Sequence, residues 1–129
     1  MASKLTELAI DCADPGALSR FWCAVLDYEV QLVEEDLITI GSPAVPEGRN
    51  RPGPLPPTLT FVYVPEAKTV KNRIHLDVNP TDRDQDDEVR RLIDLGARPA
   101  DVGQGNDATW VVLVDPEDNE FCVLAGRHP

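Results

Sequence analysis

The sequence predicts an α+β fold built from two βαβββ modules, on three observations. Glu7-Leu8-Ala9-Ile10 opens the first half and His75-Leu76-Asp77-Val78 opens the second, each a polar residue leading a strand-like run. Asp14 stands seven residues after Glu7 and Asp82 seven after His75, and each is predicted to open a helix that runs to a leucine, Leu26 or Leu95. Further strand-like segments follow both helices. A repeat of this size, with a polar residue at the same place in each copy, points to two like modules facing a shared site. It also makes Glu7 and His75 a candidate pair.

In the first module, residues 5–12 alternate, with Leu8, Ile10 and Cys12 on one side and Glu7, Ala9 and Asp11 on the other. A period of two predicts a half-buried strand. Asp14-Pro15 then supplies a carboxylate cap and a proline at the first helical position. Ala17, Leu18, Phe21, Trp22, Val25 and Leu26 recur at three- and four-residue steps and give a broad apolar stripe. Strands are predicted over 28–33, 37–40 and 58–64. Residues 41–57 hold six of the twelve prolines and three of the eight glycines, which makes them a loop long enough for a lid or for a plain surface insertion.

In the second module a strand is predicted over 73–79, with Leu76 and Val78 on its apolar side. Val89, Leu92, Ile93 and Leu95 form the stripe of the second helix, and Gly96 is placed to end it. A weak strand over 97–102 and a turn at 103–107 lead to a strong strand over 109–114. Asp115-Pro116-Glu117-Asp118-Asn119 reads as a tight turn, with Asp118 able to take a left-handed conformation. The last strand is predicted over 120–124. The modules therefore span about residues 1–64 and 73–129, joined by a connection at 65–72, within one domain covering 1–129.

The net charge of −11 excludes electrostatic capture of nucleic acid or of an anionic membrane, both of which need clustered cations. The acidic runs Asp82–Glu88 and Asp115–Glu120 read as a solvated helix start and a solvated turn. No stretch has the apolar length of a membrane span, and the first residues lead straight into a strand pattern. Three cysteines, Cys12, Cys23 and Cys122, lack the spacing of a disulfide framework and fit a reducing cytoplasm.

With Leu8, Ile10, Leu76 and Val78 on the helix side, Glu7, Asp11, His75, Asp77 and Asn79 fall on the other side of their sheets. A face this polar is solvent-exposed or lines a wet cavity. Asn72-Arg73-Ile74-His75-Leu76-Asp77, Asp115-Pro116-Glu117-Asp118-Asn119-Glu120-Phe121-Cys122 and the doubled βαβββ order together resemble the vicinal oxygen chelate superfamily. Within it the chain is most similar to the small bacterial glyoxalase-like domains, over nearly its whole length. The resemblance implies sheets curled around a cleft, a homodimer and a small-molecule ligand.

Metal-dependent members of that superfamily take ligands from the first and last strands of each module. By matching position the resemblance implies Glu7 and His75 from the first strands and Cys122 from a last strand, where a glyoxalase-type enzyme has Glu. The fourth position falls on Phe61, Val62 or Tyr63, none a good ligand. Loss of both last-strand carboxylates disfavours glyoxalase I isomerisation, and a chain with only His75 and His128 disfavours extradiol dioxygenase chemistry. Glu7, His75 and Cys122 suit a divalent metal such as zinc; the competing reading makes Cys122 a buried small hydrophobe. His75 and Glu7 are the candidate catalytic residues, and Asp11, Tyr63, Asp77 and Trp110 the candidate ligand contacts. Lys68, Lys71 and Arg73 form a small basic cluster that could hold an anionic ligand or pair with the acidic runs. Three functions are open: a glyoxalase-like lyase or isomerase on a carbonyl or oxygenated substrate, a metal-free protein that sequesters a small compound as resistance proteins do, and an assembly domain.

Overall fold

Period-two alternation decides what each sheet buries. A computed structural model describes residues 1–45 and 51–129, which form two compact units, Met1–Ala67 and Lys68–Pro129. Each unit has the predicted βαβββ order and a four-stranded mixed sheet. No helix among the described residues is long and apolar enough to cross a membrane.

In the first unit the sheet order is β1 (Glu7–Cys12), β4 (Thr58–Tyr63), β3 (Leu37–Gly41), β2 (Glu29–Glu34). β1 runs parallel to β4, while the two other pairings are antiparallel. The register aligns Leu8 with Leu59 and Ile40, and Ile10 with Phe61 and Ile38, so one face of the sheet is apolar throughout. Helix α1 (Pro15–Leu26) packs on β3 and β4. Its start is the predicted one: Asp14 Oδ1 accepts the Ala17 N–H at 3.0 Å, with Pro15 in the first turn. Leu18, Phe21 and Trp22 are buried, and the Phe21 and Trp22 rings meet edge-on at 5.3 Å. Removing a buried indole of this kind costs about 3–5 kcal/mol.

The predicted loop at 41–57 lies partly outside the described residues, at 46–50. On its near side Val45 is buried, and its N–H donates to the Ser42 carbonyl at 2.9 Å. On its far side Arg51 Nη1 donates to the Thr6 carbonyl at 2.9 Å and to Thr58 Oγ1 at 3.3 Å.

In the second unit the order is β5 (Leu76–Val78), β8 (Glu120–Val123), β7 (Val111–Val114), β6 (Arg98–Pro99). Helix α2 (Gln85–Leu95) packs on β8 and ends where predicted, at Gly96 with φ 124°. Its start differs from expectation. Asp84, not Asp82, is the cap, accepting the Asp87 N–H at 2.8 Å, while Asp82 pairs with Arg83. Four aspartates within six residues offer several caps, and the geometry that follows β5 selects one. The apolar stripe is also narrower than predicted: Leu92 is fully buried, but Ile93 and Leu95 are each 38% exposed.

Six strands, β1 and β4 to β8, are shorter than the sequence predicts, and side-chain hydrogen bonds stand beside the shortened ends of β5, β6 and β7. β5 is only Leu76–Val78; ahead of it the Asn72 N–H donates to Glu120 Oε2 at 3.0 Å and the Asn72 side-chain amide donates to Asn119 Oδ1 at 2.9 Å. β7 starts at Val111 rather than Thr109, whose carbonyl accepts from Gln85 Nε2 at 2.9 Å. β6 is only Arg98–Pro99: Pro99 has no N–H to donate, and Asp101 and Gln104 side chains accept the Gly103 and Val102 N–H groups and turn the chain.

The turn at 115–119 follows prediction closely. Asp115 is fully buried; its Oδ1 accepts the N–H groups of Glu117 at 2.9 Å and Asn119 at 3.0 Å. The Asn119 amide donates to Asp115 Oδ2 at 3.0 Å, and Asp118 sits at φ 68°.

Candidate functional site

Register assembles the site of the second unit. Asp77 pairs with Cys122 across β5 and β8, and Cys122 pairs with Val112 across β8 and β7. Side chains two positions apart share a face of a strand. His75 therefore joins Asp77, Glu120 and Leu124 flank Cys122, and Trp110 joins Val112. Phe121, Val123 and Leu113 turn the other way and are buried. The polar face carries a cavity of about 460 Å³, with Lys71, Val102, Gly103 and Gln104 completing its lining.

Three donor atoms converge on its floor. His75 Nδ1 lies 3.1 Å from Asp77 Oδ1 and 3.9 Å from Cys122 Sγ, and the three groups offer ligand atoms all within 4.8 Å of one another. The imidazole and carboxylate are half-exposed, while Cys122 is 7% exposed. Burial pushes the Cys122 thiol above its ordinary value; the Asp77 carboxylate adds to this by charge and hydrogen bond, and Lys71 opposes it. Glu120 shows the reverse balance. Burial disfavours its charge, but the Lys68 ammonium at 2.9 Å and the Asn72 N–H outweigh that and hold the carboxyl below its usual range.

The donor set fits a divalent metal. Tetrahedral zinc, with bonds of about 2.0–2.1 Å to nitrogen or oxygen and about 2.3 Å to sulfur, spaces its ligands roughly 3.3 Å (N to O) and 3.6 Å (N to S) apart. The observed 3.1 and 3.9 Å bracket these edges.

The remaining predicted residues lie in the first unit. Glu7 accepts a hydrogen bond from the Thr60 hydroxyl, which meets Thr39 Oγ1 at 2.8 Å; both threonines are buried. Asp11 is exposed on the same side of β1, opposite Val62. Tyr63 pairs with Cys12, which places it on the other face from Asp11. The expected fourth ligand position also shifts. Matching Glu7 to His75 by register makes Thr60, not Phe61, Val62 or Tyr63, the counterpart of Cys122. Phe61 is fully buried in the apolar face.

The second unit thus brings together His75, Asp77, Trp110 and Cys122 in one cavity, and Lys71 of the basic cluster joins them. Lys68 is instead paired with Glu120. Gln104 and Val102 were not foreseen, since they sit in a turn whose path only the folded loop defines. Val112 and Leu124 could have been found by carrying alternation from Trp110 and Cys122.

Comparison with known proteins accords with this architecture. The family profile described as "glyoxalase-like domain" matches residues 7–124. The chain belongs to this family. Among solved structures, a glyoxalase/bleomycin resistance protein/dioxygenase family enzyme from Burkholderia phytofirmans PsJN superposes with a TM-score of 0.64 at 18% identity, covering 94% of this chain and 97% of that one. A point mutant of the fosfomycin resistance protein FosX from Listeria monocytogenes, complexed with Mn(II) and 1S,2S-dihydroxypropylphosphonic acid, gives a TM-score of 0.71 at 12% identity, covering 98% and 94%. A possible glyoxalase from Bacillus cereus gives 0.63 at 14% identity, covering 96% and 100%. At these identities the likeness concerns the fold. No curated protein matches the sequence.

Proposed function

We propose that this glyoxalase-like protein binds a small, largely apolar metabolite against the sheet face of its second unit. The observation that carries this reading is the cavity of about 460 Å³, within the size range of small-molecule sites. Trp110, Val102, Val112 and Leu124 give it apolar walls, and His75, Asp77 and Cys122 gather at its floor. That is the usual composition of a small-ligand site, with apolar area for affinity and a few polar groups for orientation.

Tryptophan fluorescence tests this directly. Trp110 is 42% exposed, whereas Trp22 is 1% exposed and supplies a constant background. Small aromatic and hydrophobic compounds should quench the emission of chelator-treated protein, and Trp110→Phe should remove the response. Silence across a broad panel, with and without added metal, would sink the proposal.

A second reading, catalysis of the lyase or isomerase type, has one specific observation behind it. Asp77 accepts from His75 Nδ1 at 3.1 Å when that nitrogen is protonated, which leaves Nε2 to give or take a proton beside a carbonyl. In the alternative state, with Nδ1 deprotonated and that hydrogen bond replaced, a divalent ion held by His75, Asp77 and Cys122 would supply Lewis-acid polarisation of a ligand oxygen. Any turnover found with carbonyl substrates should vanish in His75→Ala while the fold persists. Turnover that survives the substitution would remove His75 from the chemistry.

A further inference from the structure

The resemblance to metal-dependent relatives leads one to expect Glu7 as a ligand, yet the second unit already contains three convergent donors of its own. Asp77 and Cys122 are direct register partners on adjacent strands, and His75 stands two residues before Asp77 on the same face. Their positions are fixed by backbone pairing rather than by a loop. The imidazole Nδ1 can make one good hydrogen bond, but both the Asp77 carboxylate and the Cys122 sulfur point at it, at 3.1 and 3.9 Å. A cation among the three would satisfy all of them at once. Thiolate and carboxylate would together neutralise a divalent charge, and the cavity would leave a fourth position for water or ligand.

We propose that His75, Asp77 and Cys122 form a metal site complete within the second unit, selective for zinc over manganese, with Glu7 dispensable. The proposal rests on the functional reading above only for the location of the pocket. Selectivity follows from the donors. A buried thiolate and an imidazole are soft or borderline ligands that suit zinc, whereas manganese favours sets dominated by oxygen. The Mn(II) held by the Listeria FosX structure is thus the ion this site should discriminate against.

The experiment is a Co(II) titration of the chelator-stripped full chain, read by absorbance, followed by competition with zinc and with manganese. One cobalt per chain should bind with a thiolate-to-cobalt charge-transfer band and the visible bands of a tetrahedral ion. Zinc should displace it stoichiometrically, and manganese in about tenfold excess should not. Cys122→Ser should abolish the charge-transfer band. Asp77→Asn should weaken binding by more than about 100-fold, beyond the roughly 10–100-fold cost of losing a carboxylate that merely orients a ligating histidine. Glu7→Gln should leave the titration unchanged, and circular dichroism should report the same fold for every variant. Absence of the band in the unmodified protein overturns the proposal. So does a smaller loss in Asp77→Asn, displacement of cobalt by manganese, or a Glu7→Gln defect matching that of Asp77→Asn. No small-molecule ligand is present in the titration, so its failure would leave quenching of Trp110 as a separate result.

Discussion

The polar sheet faces of the two units share a register and differ in chemistry. In the first, Glu7, Thr60 and Thr39 form a chain of hydrogen bonds in which each group spends its capacity on the next. In the second, the matching positions are His75, Cys122 and Val112, and Asp77 replaces Ala9. Here the polar atoms converge beside a cavity rather than closing on one another. Hydroxyls that satisfy each other stabilise a sheet; a carboxylate and a thiol contending for one imidazole nitrogen leave capacity for a ligand. The same scaffold therefore holds a structural face and a functional one, and a few side-chain identities make the difference.

Two substitutions test that contrast, and the first should have the larger effect. Thr60→Val keeps the side-chain shape but strands the buried Thr39 hydroxyl and removes a partner of Glu7. Denaturant unfolding should show a loss of about 1–3 kcal/mol, the cost of leaving a buried polar group unpaired. Ligand quenching of Trp110 should persist. Cys122→Ala, at the matching position of the second unit, should cost only about 1 kcal/mol, near the value of one buried methylene-sized group. Equal losses at the two positions would mean that both faces are structural.

The smallest effect concerns the ion pair at the edge of the second face. Glu120 is held below its ordinary range, with Lys68 supplying the ammonium. A carboxyl depressed in the folded state contributes stability above its unfolded value, near the usual 4.3, and loses that contribution as pH falls through the folded value. Lys68→Met should therefore lower stability by about 0.5–1 kcal/mol at neutral pH. The difference from the parent should shrink toward zero as the solution becomes strongly acidic. A gap that stays constant with pH would assign the loss to packing of the lysine stem instead.

What could be read from the chain follows the range of the forces involved. The start of α1 was legible because Asp14 and Pro15 act within a single turn, and both helix ends fell on the expected leucines. The start of α2 was not, because Asp82 and Asp84 are equivalent as composition and only the path out of β5 separates them. On the site, alternation placed His75 and Asp77 on a polar face, Cys122 came from the family resemblance, and Trp110 came from its place on a strong predicted strand. Alternation could not name Thr60, because which residue of β4 lies across from β1 depends on pairing between segments about 50 residues apart. Gln104 was illegible for a related reason: its role comes from a loop whose course its own hydrogen bonds to Ala100 and Val102 define.

The buried carboxylate of Asp115 has a consequence beyond the turn it closes. By gripping the N–H groups of Glu117 and Asn119 it sets how far β8 is advanced against β7. A shift of one residue would exchange Cys122 for Phe121 or Val123 and present a hydrocarbon where the thiol now stands. The five residues of this hairpin thus act as a vernier for the chemistry next to them. Insertions here should be far less tolerated than substitutions at the exposed Ile93 or Leu95, although no atom of the turn belongs to the trio whose alignment it sets.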